Sequence, residues 1–196
     1  NRISLVPVVP NRGLIVDRSG AVLARNYSAY TLEITPGKVA DLEAVIDDLA
    51  SIIDIQPRDR KRFRRLLEES KNFESLPIRT RLTDEEVARF VARRFRFPGV
   101  DIKARLFRQY PQGALASHAL GYIGRVNDRD LATIEKHNGE DNYRGTEHFG
   151  KTGLEQKYEF ELHGQTGFEQ IEVDAGGRAV RVLDRTPPLP GNNLAL

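Results

Sequence analysis

The sequence predicts an elongated α+β protein of two lobes, with a β-rich base formed from both chain ends and an inserted helical head lobe. Three observations support this prediction. Apolar residues alternate with polar ones near both ends, helical spacing dominates the middle, and the first hairpin needs further strands because an isolated hairpin is marginal in water. We therefore expect a base of residues 1–37 and 108–196 and a head of residues 38–107.

A turn between two short apolar segments organises the beginning of the chain. Asp17 stands at its first position and Gly20 at its fourth, which is typical of a type I turn, so we expect a hairpin over residues 12–24. The segment 1–10 contains two prolines and is therefore expected at a sheet edge or as a linker. The alternation in residues 30–35 predicts a strand whose inward side chains are Tyr30, Leu32 and Ile34.

Three helices and two short strands are predicted in the head. An apolar stripe runs through residues 42–53, Pro57 opens a second helix, and Thr83 with Glu86 forms a capping box that opens a third. The third helix is expected to bury Val87, Phe90, Val91 and Phe95. The strands are expected over residues 76–78 and 100–106.

The second part of the base alternates loops with short elements. Asn127 or Asp128 can cap a short helix, and the glycine-rich residues 138–150 are interpreted as a long exposed loop. Thr152 and Glu155 are interpreted as a second capping box, which opens a helix that Gly164 ends. A final hairpin is expected over residues 168–182, with its turn at residues 175–177.

Composition narrows the functional classes. Thirty basic and 28 acidic side chains give a net charge of +2, far below the excess typical of a dedicated nucleic-acid binder. There is no cysteine, which excludes a disulfide framework and thiolate chemistry. No apolar run approaches the roughly 18 residues that span a bilayer, so we expect the chain as printed to be soluble, and we interpret both of its ends as cut.

Six cations crowd eight residues of the predicted second helix: Arg58, Arg60, Lys61, Arg62, Arg64 and Arg65. A charge run of this kind is usually a solvated helix face. The alternative is a contact for an acidic partner or for an anionic headgroup surface.

Several motifs together resemble a known family, the class B penicillin-binding proteins. Four blocks occur in the family's order: the opening R-G-x-I-x-D-R-x-G, the Y-P-x-G with its following H-x-x-G-Y, the G-x-x-G-L-E block, and a glycine-containing hairpin near residue 177. The motif residues are Arg12, Gly13, Asp17, Arg18, Gly20, Tyr110, Pro111, His118, Gly121, Tyr122, Gly153, Glu155 and Gly164. The segment 83–100 is more similar to the elongation-type members, the Gram-negative penicillin-binding protein 2, than to division-type ones.

This resemblance implies the non-catalytic pedestal between a membrane anchor helix and a transpeptidase domain that would follow residue 196. It implies a location at the periplasmic face of the bacterial inner membrane. Its implied partners are a RodA-type glycan polymerase and an MreC-type scaffold protein, in a two-lobe pedestal whose lobes open or close. We expect partner contacts in a groove between the lobes, and at Leu5, Val6, Val8, Leu14, Arg58, Arg62 and Arg65.

The chemistry of the family is not expected in these residues. Its serine nucleophile lies in S-x-x-K, and no lysine here has a serine three residues before it, although K-T-G occurs at 151–153 and S-x-N at 70–72. The four histidines show no metal-ligand spacing, so neither a metal nor a cofactor is expected. Two alternatives are an autonomous hydrolase or transferase that uses Glu155, Asp174 or His148, and an RNA- or DNA-binding module. Against the first, we interpret Glu155 as a helix cap.

Overall fold

The computed structural model describes residues 2–70, 74–113, 117–174 and 179–196. Contacts divide the chain into two compact units: unit 1 holds residues 1–27 and 108–196, and unit 2 holds residues 28–107. Helices and strands are both abundant, which confirms the predicted α+β class.

Ten strands occur in the described ranges: β1 (Arg2–Val8), β2 (Ile15–Val16), β3 (Val22–Ile34), β4 (Leu76–Arg79), β5 (Val100–Gln109), β6 (Ile123–Arg125), β7 (His148–Gly150), β8 (Gly167–Val173), β9 (Ala179–Thr186) and β10 (Leu194–Ala195). They form a three-stranded sheet β1-β8-β9, a five-stranded sheet β10-β2-β3-β4 with β5 paired to β3, and the pair β6-β7. The helices are α1 (Leu42–Ala50), α2 (Pro57–Glu69), α3 (Asp84–Val91), α4 (Ser117–Leu120), α5 (Asp128–Lys136), α6 (Gly153–Lys157) and α7 (Glu159–His163). No helix of these ranges is both long and apolar enough to cross a bilayer.

In unit 1, strands from distant parts of the sequence pair with one another. β1 runs antiparallel to β8, with Leu5 opposite Gln170, and forms an edge of its sheet, as expected from Pro7. β10 runs parallel to β2, with Leu194 opposite Ile15. Both ends of the described chain therefore contribute strands to this unit, as predicted.

The apolar core of unit 1 consists of two small clusters. The first contains Ile15, Ala24, Leu120 and Leu162, and the second contains Ile134, Tyr143 and Phe149. Small clusters of this size leave room for buried charged groups, which need partners to offset the cost of leaving water.

Unit 2 has one larger core. Side chains from the three helices α1, α2 and α3 pack on β4 and on parts of β3 and β5; the buried residues are Leu32, Ile34, Ile46, Leu49, Ile53, Phe63, Leu76, Ile78, Leu82, Phe90, Phe97 and Val100. The capping box of α3 is confirmed, because Thr83 Oγ1 accepts from Glu86 N over 3.2 Å and Glu86 Oε1 accepts from Thr83 N over 3.2 Å. Pro57 stands in the first turn of α2, as predicted.

Two local predictions in unit 1 are also confirmed. Gly20 N donates to Asp17 O over 2.9 Å in the predicted turn, and the Asp17 carboxylate accepts from the backbone of Ser19 and Ala21. Asn127 caps α5, with its side chain accepting from Asp130 N. The turn predicted at 175–177 and residues 71–72 of the S-x-N segment lie outside the described residues.

The prediction for residues 30–35 is confirmed for Leu32 and Ile34, which are fully buried, but was wrong for Tyr30 and for the polar residues between them. Residues 30–34 end the 13-residue strand β3, in which Tyr30 is 48% exposed whereas Thr31 and Glu33 are 1% exposed. Arg105 donates to both oxygens of Glu33 over 2.8 Å, so a charged side chain is buried with its partner.

The end of the third helix was also predicted incorrectly. α3 ends at Val91, and Phe95 lies in the short 3-10 turn Arg94–Arg96. Phe90 and Val87 face the core, but Val91 is 58% and Phe95 84% exposed, because the chain leaves helical geometry before Phe95 can return to the apolar stripe.

Residues 138–150 do not form the exposed loop that was predicted. Tyr143 and Phe149 are buried, and β7 pairs with β6. The helix expected to end at Gly164 is interrupted at Tyr158, which separates α6 from α7, and Gly164 follows α7 with a φ of 84°.

Candidate functional site

The most constrained polar feature of unit 1 is a buried charge network centred on Glu155 of α6, whose side chain is fully buried. Arg12 donates from Nε to its Oε2 over 2.7 Å and from Nη2 to its backbone carbonyl over 2.9 Å. Arg108 donates from Nε to its Oε1 over 2.7 Å, and Tyr110 adds a hydroxyl at 3.3 Å. Two cations thus satisfy one carboxylate, and each comes from a different part of the chain.

A second carboxylate, Glu159 of α7, extends this network. Arg12 Nη1 lies 2.7 Å from Glu159 Oε2, which also accepts from Gly150 N, and Tyr143 donates to Oε1 over 3.1 Å. Burial raises the pKa of Glu159 despite the opposing charge of Arg12. Burial opposes the charge on Arg12, but the carboxylates of Glu159 and Glu155 outweigh it and raise the pKa of the guanidinium.

Two tyrosines contact the buried carboxylates of this network, and burial changes their pKa values. Burial, and then the nearby Glu155 carboxylate, raises the pKa of Tyr110 to about 12. Burial and Glu159 raise the pKa of Tyr143 further above its usual value of 10.0. Both hydroxyls therefore stay protonated at neutral pH and act as donors to the two carboxylates.

The interpretation of Thr152 and Glu155 as a capping box was wrong. Thr152 precedes α6 but makes no side-chain capping hydrogen bond, because the Glu155 carboxylate is turned inward and is held by Arg12 and Arg108. Glu155 therefore has a structural role, with both carboxylate oxygens paired to arginines. A carboxylate held in this way is unsuited to act as the catalytic group of a hydrolase. His148 lies on β7 and Asp174 follows β8, in different parts of the unit's sheets.

The motif glycines allow close backbone contacts. A Cβ on Gly13 would lie 1.9 Å from Asn192 O, and Gly121, with a φ of 72°, would place a Cβ 1.9 Å from Thr152 O. Gly13 N also donates to Leu162 O over 2.8 Å. These contacts join the start of the chain, α7 and residues near β10 into one body.

The remaining motif residues are dispersed over unit 1. The predicted turn at Tyr110 and Pro111 is present, with Gly113 N donating to Tyr110 O over 3.0 Å. The exposed side chains among them are Arg18, Pro111, His118 and Tyr122, and Gly153 opens α6 with a φ of 61°.

The proposed partner-binding residues fall on two separate surfaces, one in each unit. On β1, Ile3 is 69% and Leu5 44% exposed on one face, and Val6, 37% exposed, points to the opposite face; we call Ile3 and Leu5 the β1 apolar patch. Val8 and Leu14 are half-buried. An edge strand with exposed apolar side chains is a surface that favours pairing with another chain.

The second surface is α2 of unit 2. Arg58 and Arg65 are exposed, but Arg62 is half-buried and donates to Asp59 Oδ1 over 3.1 Å. Arg60 Nη2 lies 2.7 Å from Asp47, and Arg64 Nη2 lies 3.5 Å from Glu43. Partner contacts were expected at Arg58, Arg62 and Arg65; the cations that share one concave face of α2 are Arg60, Lys61, Arg64 and Arg65. A helical-wheel projection of residues 57–69 identifies this face.

Within the described ranges, no group of three or more histidine or acidic side chains is arranged to hold a metal ion. The histidines occupy separate environments: His118 is exposed on α4, His137 stacks on Phe160, and His163 is buried against Tyr143. Burial lowers the pKa of His163.

Comparison with known proteins identifies the family. A sequence model described as the penicillin-binding protein dimerisation domain matches residues 7–196. The chain belongs to this family. All 196 residues align with the peptidoglycan D,D-transpeptidase MrdA of Salmonella typhimurium strain LT2 at 43% identity, and with that of Escherichia coli K12 at 41%. These alignments cover 32% and 31% of the relatives, so the chain spans about a third of the length of the curated relatives it matches.

A solved structure supports the fold of this dimerisation domain. This chain is similar to a chain in the complex between penicillin-binding protein 2 and MreC from Helicobacter pylori, with a TM-score of 0.70 and 24% identity. The match covers 100% of this chain and 36% of that one. The family model and the MrdA alignments confirm the family resemblance expected from the four motif blocks, and at 24% identity the structural likeness concerns the fold alone.

Proposed function

We propose that this chain is the non-catalytic pedestal of a peptidoglycan D,D-transpeptidase of the MrdA type, which holds and orients a catalytic domain located elsewhere in the whole protein. The observation that carries this proposal is the coverage: the dimerisation-domain model matches residues 7–196, while the chain aligns with only about a third of each MrdA relative. The absence of S-x-x-K from the sequence agrees with a role other than acyl transfer.

The buried charge network supports a structural role for unit 1, in which distant segments of the chain are held together. Arg12, Arg108 and Glu155 belong to segments that are far apart in sequence, and they are joined by short, buried, charge-assisted hydrogen bonds. Gly191 N donates to Asn11 O and Asn192 N to Glu161 O, so residues near β10 are tied to the same network. Unit 1 is suited to keep its two chain ends in a fixed mutual position.

We further propose that unit 1 is the base lobe and unit 2 the head lobe of the pedestal. The parent protein would be anchored in the bacterial inner membrane with this region on the periplasmic face. An MreC-type scaffold is the favoured partner, because the similar fold comes from a complex of penicillin-binding protein 2 with MreC. A RodA-type glycan polymerase is the second proposed partner, on the basis of the motif resemblance.

Two experiments test this function. Incubation of the chain with a fluorescent penicillin is expected to give no covalent label, with full-length MrdA-type protein as the positive control; labelling of the chain would overturn the non-catalytic assignment. Biolayer interferometry against the periplasmic part of MreC is expected to show saturable binding, and absence of binding would remove that partner.

The partner surface on β1 is tested in the same assay. We expect the double variant Ile3→Ser with Leu5→Ser to weaken MreC binding, because it removes the two exposed side chains of the β1 apolar patch. The matched control is Leu131→Ser, since Leu131 is 53% exposed on α5 of the same unit. Equal effects of the two changes would argue against the β1 apolar patch as the contact.

A further inference from the structure

The exposed face of α2 forms a groove of about 490 Å³, lined by Pro57, Arg60, Lys61, Arg64, Arg65 and Glu68. Four of these six side chains are cationic and one is acidic. Positions 60, 64 and 68 lie one turn apart on the helix, as do positions 57, 61 and 65, so the groove has two parallel rows. We call this surface the α2 groove.

The cations of the α2 groove differ in how they are paired. Arg60, which is 26% exposed, lies 2.7 Å from Asp47 of α1, and Glu43 of the same helix lies 3.9 Å from Arg60 and 3.5 Å from Arg64. Within the part of the chain that the structure describes, no carboxylate pairs with Lys61 or Arg65, and both side chains are exposed. One row of the groove is therefore neutralised in part by α1, while the other row presents positive charge to solvent.

We propose that the α2 groove binds an acidic helical segment of a partner protein, with carboxylates spaced one turn apart. The rows of cations have Cβ atoms about 6 Å apart along the helix, which matches carboxylates at i and i+4 of a second helix. The six lining positions span about 16 Å, or three turns, at 1.5 Å per residue. Glu68 ends the groove with a negative charge, so the bound segment is expected to place a basic residue there.

The lining favours a protein segment over two other polyanions. Helices that lie in the membrane interface combine cations with large apolar side chains that enter the headgroup region, and the α2 groove contains neither an aromatic residue nor a leucine. Sites for single-stranded nucleic acid use aromatic side chains on which bases stack, and these are also missing from the lining. The inference rests on the proposed function only in assuming that the partner acts in cell-wall synthesis.

The test uses this chain and a fluorescent, alanine-rich helical peptide with glutamates at i and i+4 and a lysine at i+8, measured by fluorescence anisotropy at low salt. We expect the double variant Lys61→Glu with Arg65→Glu to weaken binding about tenfold or more, since exposed pairs contribute up to about fivefold each and reversal adds repulsion. The matched control is Arg129→Glu with Lys136→Glu, which changes the net charge equally at two exposed positions on α5 of unit 1 and is expected to change affinity by less than about twofold. Because charge reversal can affect folding, Lys61→Ala with Arg65→Ala is measured in parallel.

A peptide of the same composition with its glutamates scattered around the helix is expected to bind several-fold more weakly. The proposal is overturned if the two peptides bind equally, if the control variant loses as much affinity as the groove variant, or if no peptide binds. It is also overturned if phosphatidylglycerol vesicles or an oligothymidine bind more tightly than the peptide and lose that binding in the groove variant. Neither MreC binding nor penicillin labelling enters this test, so its failure would leave the proposed function standing.

Discussion

Arg108 donates from Nε to Oε1 of Glu155 over 2.7 Å, and their side chains are 2% and 0% exposed. The two residues are 47 positions apart in sequence. Such a pair is costly to break because the remaining charge stays buried without compensation. The behaviour of this pair is therefore the most direct measure of how unit 1 is held together.

Replacement of Glu155 by glutamine is expected to destabilise unit 1 by about 3–5 kcal/mol, because it leaves the buried Arg108 without its carboxylate partner and leaves Arg12 with Glu159 alone. The matched control is Glu169→Gln, whose partner Arg185 is 60% exposed and whose loss should cost at most about 1 kcal/mol. The measurement is the free energy of unfolding from urea titration. Equal losses in the two variants would show that the buried network contributes no more than a surface pair.

Two threonines at helix starts, Thr83 and Thr152, are expected to contribute differently to the free energy of unfolding. Thr83→Ala should cost about 1 kcal/mol, since it removes the hydroxyl that accepts from Glu86 N. Thr152→Ala should cost much less, because the Thr152 side chain makes no capping bond. Thermal unfolding of both variants followed by circular dichroism tests this difference, and a larger effect at Thr152 would contradict it.

Two glycines provide a similar comparison. Gly13→Ala is expected to cost about 3 kcal/mol, since its Cβ would lie 1.9 Å from Asn192 O and the backbone would have to move. Gly20→Ala has no atom within 4 Å of the new Cβ and only a positive φ to oppose it, so about 1 kcal/mol is expected. The urea midpoints of the two variants report this order, and the reverse order would rule out the close approach at Gly13.

Acid should destabilise unit 2 in part through Glu33. Burial acts to raise the pKa of Glu33, but hydrogen bonds and charge from Arg105 outweigh it and hold the pKa below its usual 4.5. Below about pH 4.5 the unfolded chain therefore binds more protons at Glu33 than the folded chain does. The contribution of Glu33 to the free energy of unfolding is complete above pH 4.5 and is lost as the pH drops through the folded pKa.

The corresponding measurement is the free energy of unfolding at about pH 7 and about pH 3. The difference between the two values is expected to shrink in Glu33→Gln and to stay unchanged in Glu85→Gln, whose side chain is exposed on α3. An unchanged difference in Glu33→Gln would show that Arg105 does not depress the pKa of this carboxyl.

Features that depend on neighbouring residues were predictable from the sequence. The turn at Asp17, the capping box of Thr83 and the start of α2 at Pro57 each follow from residue types within four positions of one another, and the structure contains all three. Local backbone chemistry decides these features, so no knowledge of the fold is needed.

Features that depend on distant partners were not predictable. The Arg12–Glu155 bond joins residues 143 positions apart, and the Arg105–Glu33 bond joins residues 72 apart. Nothing in the sequence near Glu155 indicates that two arginines neutralise it, so a capping role was the natural interpretation. The same reasoning applies to Glu33, whose polar character predicted an exposed position on β3.

The Arg12–Glu155 bond also has a consequence for the order of folding. Unit 2 is one contiguous stretch of chain, so its contacts close short loops, whereas unit 1 must bring together residues on both sides of that stretch. Loop-closure entropy therefore favours early folding of unit 2, which shortens the effective distance between Arg12 and its carboxylate. A substitution that slows the folding of unit 2 would therefore also slow the folding of unit 1, even if it lies far from Arg12, Arg108 and Glu155.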